Sequence, residues 1–247
     1  YAWPETLQAI KVVDPACGSG AFMVAAFDYL YSEYEKTNVQ IGRLTGQRSV
    51  LDLNKEILNN NLFGVDINAE SIEITKLSLW LKTAERGKKL ETLDGNFIAG
   101  NSLGFDEPAP DSDFCWQQAY PDIFANGGFD VVLGNPPYVR MELLKDLKPW
   151  FQEHYQVASD RMDLYGYFFE LGIKLLNTNG RMAYISNATF FKTGSGEKLR
   201  NQLSKKIRIE KIIDFADLQV FEGVTTYPAI LVLQQGVPEA SQQIELL

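Results

Sequence analysis

The sequence is poor in the residues that staple small domains or bind metals: two cysteines, Cys17 and Cys115, and a single histidine, His154. Two thiols make no disulfide framework and, with one imidazole, no zinc site, which fits a reducing cytoplasm. No apolar run approaches the roughly 18 residues a membrane span requires. The start, Tyr1-Ala2-Trp3-Pro4, is neither an initiator methionine nor a signal peptide, so the natural protein is expected to be longer. Positive charge is also scarce. Lys and Arg number 23 against 32 Asp and Glu, a net charge of −9. Tight non-specific binding to nucleic acid rests on neutralised phosphates, so this chain alone should bind DNA weakly. The basic residues cluster as Lys192, Lys198, Arg200, Lys205, Lys206, Arg208 and Lys211, against Glu197 and Glu210 only. A solvated helix face and strand edge is the plain reading of that cluster, and a DNA-facing rim the sharper one. The loop from Gly104 to Asp122 is acidic, with no basic residue.

What is present is an ordinary globular composition over 247 residues, enough for one α/β domain with a full core. Short apolar runs alternate with longer segments of helical period, the mark of βαβ units and a mainly parallel sheet. Strands are expected at Ile10–Val13, Leu62–Asp66, Phe97–Gly100, Phe129–Leu133, Arg181–Ser186, Ile209–Phe215 and Ala229–Leu233. Helices are expected from the Gly-rich turn to about Tyr31, over Val50–Asn59, after an Asn68 cap, over Leu164–Leu176, and near Glu197–Lys205. In the helix after Asn68, Ile72, Trp80, Leu81 and Ala84 are expected to face the core, with Glu73, Lys76 and Lys82 in water. The Gln-rich end after Leu233 has no interpretable pattern.

Three constellations carry chemistry. The first is Asp14-Pro15-Ala16-Cys17-Gly18-Ser19-Gly20, where a buried strand turns into a helix at the ligand-binding edge of an open sheet. Gly18 and Gly20 permit a tight turn whose backbone N–H groups approach a ligand. No Lys-Ser/Thr pair follows, so this is not a phosphate-binding loop. Asp14 repels pyrophosphate and attracts a cation such as an amino acid's ammonium. The second is Asp66-Ile67 at the next strand end. A carboxylate there accepts both hydroxyls of a ribose, and Ile67 covers an adenine face. Asp66 as a mere helix-start residue is the plainer alternative. Asn101, after the third strand, can hydrogen-bond the adenine edge.

The third and most specific is Asn135-Pro136-Pro137-Tyr138. Two prolines restrict the backbone, fixing the Asn135 side-chain oxygen and the Pro136 carbonyl as paired acceptors. An amino group conjugated to a heterocycle is a poor nucleophile, and two acceptors on its hydrogens draw the nitrogen toward a pyramidal form with a free lone pair. Preorganised groups of this kind contribute roughly 3 kcal/mol each to a barrier. Tyr138 can stack on the base, while Pro137 walls the pocket. A sulfonium donor loses its charge as its methyl moves, and an apolar pocket favours that. No general base is needed, and His154 lies outside the motif as a structural or exposed residue.

Together these residues resemble the adenine-specific DNA methyltransferases of restriction–modification and related phage-defence systems, most of all single-chain enzymes that fuse methyltransferase and nuclease. The resemblance runs from Val12 to Leu233 and includes Asp163-Leu164-Tyr165-Gly166, Gly180-Arg181-Met182-Ala183-Tyr184 and Phe190-Phe191-Lys192. It implies a class I S-adenosylmethionine-dependent methyltransferase fold: a doubly wound, seven-stranded, mostly parallel sheet with a final antiparallel strand. It implies S-adenosylmethionine as cofactor, with Asp14, Ala16, Gly18 and Gly20 on its methionine part, Asp66 and Ile67 on ribose and adenine, Asn101 on the adenine edge, and Pro137 on the cofactor side of the base pocket. Asn135, Pro136 and Tyr138 would hold an adenine flipped out of double-stranded DNA. The sequence departs from the pattern in three ways. An upstream aromatic-Thr-Pro cofactor motif and a downstream target-recognition domain are absent, and Thr193-Gly194-Ser195-Gly196 stands where relatives place a second stacking aromatic. Phe190 or Phe191 is a substitute or a core residue. No nuclease element is visible.

Competing readings remain. A glutamine amide of a protein, or the amino group of an RNA base, satisfies the same two-acceptor logic. A nicotinamide dehydrogenase fits poorly, because Asp66 lies about 46 residues past Gly20 instead of roughly 20. A catalytically silent DNA-binding or assembly module would keep the fold without turnover.

Overall fold

The computed structural model describes residues 3–45, 52–84, 90–216, 218, 227–239 and 242–247. The chain forms two compact units, residues 1–100 and 101–247.

The first unit opens with α1 (Trp3–Ala9) and β1 (Val12–Asp14), then α2 (Ala21–Thr45). α2 runs far beyond the expected end near Tyr31. The reason is legible afterwards: Met23, Phe27, Leu30 and Tyr34 form one buried stripe at spacings of three and four, which Tyr34 carries onward. A short helix, α3 (Leu53–Glu56), capped by Asp52, passes into a π-helical turn at Ile57–Asn61. Val50, the expected start of this helix, lies outside the described residues. The π turn buries Asn61, which donates to the carbonyls of Leu7 (2.7 Å) and Ile10 (2.8 Å) and accepts the Tyr34 hydroxyl (3.1 Å). One amide thus ties α1, the approach to β1, and α2 together, with its buried donors and acceptor satisfied.

β2 (Leu62–Asp66) and β3 (Phe97–Ala99) complete this unit's strands, parallel and in the order β3-β2-β1. Asp14 pairs in register with Gly64, so Asp14 and Asp66 end neighbouring strands at the same edge. Between β2 and β3 in sequence, α4 (Ala69–Thr83) starts at Asn68, whose side chain accepts the Ser71 N–H at 3.1 Å. Three expectations for α4 fail. Leu81 is 71 % exposed, Ala84 at the helix end is exposed as well, and Lys76, expected in water, is buried with its ammonium 2.7 Å from Asp94 and 2.6 Å from Glu73. Burial pulls the Lys76 pKa down, but the hydrogen bonds from Asp94 and Glu73 outweigh it and hold the ammonium charged.

The second unit begins with the acidic loop, which folds into α5 (Trp116–Ala119) and α6 (Pro121–Ala125). Buried Trp116 donates to the Ser102 carbonyl (2.6 Å) and packs edge-on against Phe114 and Phe129, which organises a segment whose composition suggested only loop. β4 (Phe129–Gly134) follows, then α7 (Lys148–His154), the apolar helix α8 (Leu164–Leu175), and β5 (Leu176–Asn187). β5 starts earlier than expected because Leu176 pairs with Phe129. The ladder then breaks, and Arg181 resumes opposite Val131. α9 (Glu197–Lys206), β6 (Ile207–Asp214) and β7 (Pro228–Gln235) come next. β7 lies antiparallel between β5 and β6, the expected final antiparallel strand.

Among the described residues an eighth strand joins the seven expected. A two-residue β8 (Glu245–Leu246) pairs in parallel with β6, and the Leu247 carbonyl accepts the Asp214 N–H at 3.1 Å. So short a strand carries no period for a sequence pattern to show.

Candidate functional site

In the first unit the turn after β1 is held by its own residues. The Asp14 carboxylate is buried and accepts the Ala16 N–H at 2.9 Å. Burial raises its pKa to about 7; the Ala16 N–H opposes this, and the negative charge of Asp66 adds to it. Gly18 and Gly20 both take the left-handed backbone, at φ 53° and 84°. A Cβ on Gly18 would meet open space, whereas one on Gly20 would lie 2.8 Å from the Thr75 side chain. Thr75 also donates to the Gly18 carbonyl at 2.8 Å. Sequence reading missed this residue. Its signal was a polar side chain on the buried stripe of α4, one turn after Ile72.

Asp66 uses both carboxylate oxygens on backbone donors: Oδ2 takes the Gly18 N–H and Oδ1 the Asn68 N–H, each at 2.9 Å. It therefore fixes the Gly-rich turn and also starts α4. Each oxygen keeps a lone pair for a further donor. Ile67, 75 % exposed, presents an apolar side chain to solvent beside it. These groups fit the methionine and nucleoside parts of S-adenosylmethionine: a desolvated carboxylate for an ammonium, open space over Gly18, a second carboxylate for vicinal hydroxyls, and a bare aliphatic side chain for an aromatic face.

In the second unit Asn101 turns its side-chain oxygen onto the Leu103 N–H (3.2 Å), while its own N–H donates to Ser112 (3.1 Å). Asn135 directly follows β4. Pro136 is buried, and Asn135, Pro137 and Tyr138 are half-buried. The Tyr138 hydroxyl donates to Asn135 Oδ1 at 2.7 Å and lies 3.4 Å from the Ile185 carbonyl. Burial pushes Tyr138 up to about 12, so this hydroxyl stays a donor across the physiological range. Downstream, the Val139 carbonyl accepts the Leu164 N–H at 2.8 Å, and the Met141 N–H donates to the Asp163 carboxylate. The Asp163-Leu164-Tyr165-Gly166 segment thus buttresses the Asn-Pro-Pro-Tyr loop, and Tyr165 sets its ring edge-on to Tyr138 at 6.5 Å.

The basic stretch is largely spent on the fold. Lys198 donates to the Ala158 carbonyl, Arg200 to the Phe190 and Thr193 carbonyls, and Lys206 to the Gln156 side chain. Arg208 pairs with Glu239 and Lys211 with Glu245. Phe190 is fully buried, a core residue, while Phe191 is half-buried. His154 stacks on Trp150 at 4.4 Å and pairs with Glu107 at 2.5 Å. Burial lowers its pKa, but the Trp150 carbonyl and Glu107 reverse this and raise it.

Comparison with known proteins agrees with this architecture. The type IIL restriction-modification enzyme MmeI superposes with a TM-score of 0.68 at 19 % identity, over all of this chain and 34 % of MmeI. A class I S-adenosylmethionine-dependent methyltransferase from Listeria monocytogenes gives 0.55 at 16 % identity, over 96 % of this chain and 57 % of that one. The fold is therefore the class I methyltransferase fold. In sequence, the chain is 32 % identical to the type II restriction enzyme and methyltransferase RM.Eco57I of Escherichia coli, over 91 % of this chain and 24 % of that protein. It is 28 % identical to the methyltransferase M.BstVI of Geobacillus stearothermophilus, over 95 % of this chain and 38 % of the relative. The chain thus spans well under half the length of either relative. Residues 60–221 match the family model of the Eco57I restriction-modification methylase, and the chain belongs to that family.

Proposed function

We propose that this chain transfers a methyl group from S-adenosylmethionine to the 6-amino group of adenine in DNA, as the modification activity of a restriction–modification enzyme. The observation that carries the reading is the Asn135 side chain at the end of β4, between two constrained prolines' backbone and a tyrosine hydroxyl that fixes its oxygen. With Tyr138 as the donor, Oδ1 is defined as the oxygen end of the amide, and its second lone pair is left for an amino hydrogen. The Pro136 carbonyl supplies the second acceptor. The Tyr138 ring offers a stacking face, and Pro137 an apolar wall.

The bound donor supplies a methyl group activated by a sulfonium. Asp14 holds the ammonium of its methionine part, with Ala16, Gly18 and Gly20 shaping the turn around it. Asp66 takes the ribose hydroxyls, Ile67 covers the adenine, and Asn101 meets its edge. No residue has to remove a proton before transfer, because the product ammonium loses one to water afterwards. The target adenine must leave the base stack, at a cost of a few kcal/mol. A target-recognition domain of the same protein would select the site, and DNA in the cytoplasm is the partner. No helix among the described residues is long and apolar enough to cross a membrane.

Asn135→Ala tests the reading. Nucleoside mass analysis of DNA incubated with the purified protein should show 6-methyladenine for the wild type and at least a hundredfold less for the variant, with cofactor affinity within about twofold; removing one preorganised group costs this order. Methylation on a protein glutamine, on RNA, or on cytosine in place of adenine would overturn the assignment.

A further inference from the structure

A cavity of about 440 Å³ opens where β5 and β6 end and β7 begins, lined by Thr189, Phe191, Lys192, Asp214, Ala216 and Tyr227. Asn187 pairs with Pro228 and Asp214 with Ala229, which places it at one end of those strands. β4 runs parallel to β5, with Gly134 opposite Tyr184, so Asn135 leaves the sheet at this same end. Packed rings bridge the interval: Tyr138 to Tyr165 at 6.5 Å, Tyr165 to Phe190 at 6.1 Å, and Phe190 to Phe191 at 4.4 Å.

The lining is a set of complementary parts. Phe191 is half-buried and Tyr227 is 47 % exposed, so both rings are available to stack. Lys192 is exposed, and its ammonium makes no ion pair among the described residues, whereas Arg208 pairs with Glu239 and Lys211 with Glu245. Asp214 uses Oδ1 on the Ala216 N–H at 2.9 Å, which fixes the carboxylate and leaves Oδ2 for another donor. Ala216 holds this turn in the left-handed region at φ 48°, a conformation that costs a non-glycine residue energy and is kept only where the surroundings impose it. A bare anion site would not include Asp214, and an apolar site would include neither charge. Two rings, one ammonium and one oriented carboxylate match a nucleotide: a base to stack, a phosphate for Lys192, and an exocyclic amino group for Asp214. The volume lies within the range of small-ligand sites.

We propose that this cavity is a subsite for the nucleotide next to the methylated adenine, and that Asp214 favours a neighbouring base carrying an amino group over thymine. This rests on the DNA reading above. Stacking on aromatic side chains is the general way such a base is held.

Duplexes carrying 2-aminopurine at each position flanking the target adenine, added to the Asn135→Ala protein, test occupancy without requiring turnover. One flanking position should change its emission at least twofold on binding, and Tyr227→Leu with Lys192→Ala should abolish the change while the melting temperature is kept. Unchanged emission at every flanking position overturns the subsite even if the wild type methylates adenine. Methylation rates over a library randomised at the same positions test the reader. The wild type should prefer amino-bearing bases at the position found, and Asp214→Asn should shrink that preference about tenfold. A preference profile unaltered in Asp214→Asn refutes the role of Asp214. Absence of any adenine methylation refutes the underlying function instead, which the emission experiment reports separately.

Discussion

On the proposed reading, the buried carboxylate of Asp14 should make cofactor affinity a function of pH, with a sign that follows from its surroundings. Its folded-state pKa is raised from 3.8 to about 7, chiefly by burial and further by the charge of Asp66. An ammonium ligand binds the ionised form only. At pH 6 about one molecule in ten carries that charge, so the dissociation constant should be roughly tenfold weaker than its plateau, and at pH 7 about twofold weaker. On the alkaline side an amino acid's own ammonium begins to lose its proton near 8, so affinity should pass through a maximum between roughly 7 and 8. Calorimetric titration of S-adenosylhomocysteine, which keeps the amino acid end but transfers nothing, reads this directly from pH 5.5 to 9. Asp14→Asn should remove the acid limb and weaken plateau binding by about tenfold or more. The same shift has the opposite effect on the unliganded protein. The folded state holds its proton more tightly than the unfolded state does, so this contribution is complete below pH 3.8 and is lost as pH rises through about 7. The full swing is about 4 kcal/mol, and Asp14→Asn should raise the melting temperature at pH 8. Cofactor affinity that is flat from pH 6 to 7.5 would refute the claim that Asp14 meets the ammonium.

Three further outcomes are expected. Asp66→Ala should lower cofactor affinity by at least tenfold, read by the same calorimetry, because it removes the proposed ribose acceptor and frees the Gly18 and Asn68 N–H groups that it now fixes; unchanged affinity overturns the ribose assignment. Gly20→Ala should destabilise the fold by about 2 kcal/mol or more in chemical denaturation and exceed Gly18→Ala. Both sites carry the left-handed penalty of about 1–2 kcal/mol, but only at Gly20 does the new methyl strike Thr75. Equal losses would show that Thr75 gives way. Glu170→Gln should cost about 1–3 kcal/mol in the same measurement, since buried Glu170 accepts the Gln156 and Val157 N–H groups at 3.1 and 2.9 Å and an amide turns one acceptor into a donor. A loss below about 0.5 kcal/mol would refute that accounting.

Local chemistry made much of this legible. Leu62–Asp66 was bounded correctly because a buried strand of five residues ends at a carboxylate and is followed by a helix cap, and both signals are contiguous. The Asn-Pro-Pro-Tyr loop was legible for the same reason, since proline restrains its neighbours whatever surrounds them. Lys76, Leu81 and Thr75 were not. Their burial depends on what stands opposite α4, and nothing in the helical period says that Asp94 waits for a lysine or that Thr75 packs against Gly20.

The sequence by itself determined where the backbone must turn, which strand ends carry carboxylates, and which loop two prolines restrain, because these follow from steric rules acting over a few residues. Only the tertiary structure decided the protonation of Asp14, the capture of the basic stretch by carbonyls and carboxylates, and the joining of Tyr138 to Asn135. Those properties depend on solvent exclusion and on distances between residues far apart in the chain or free to turn toward several partners. They exist only once packing has removed the water and the alternatives.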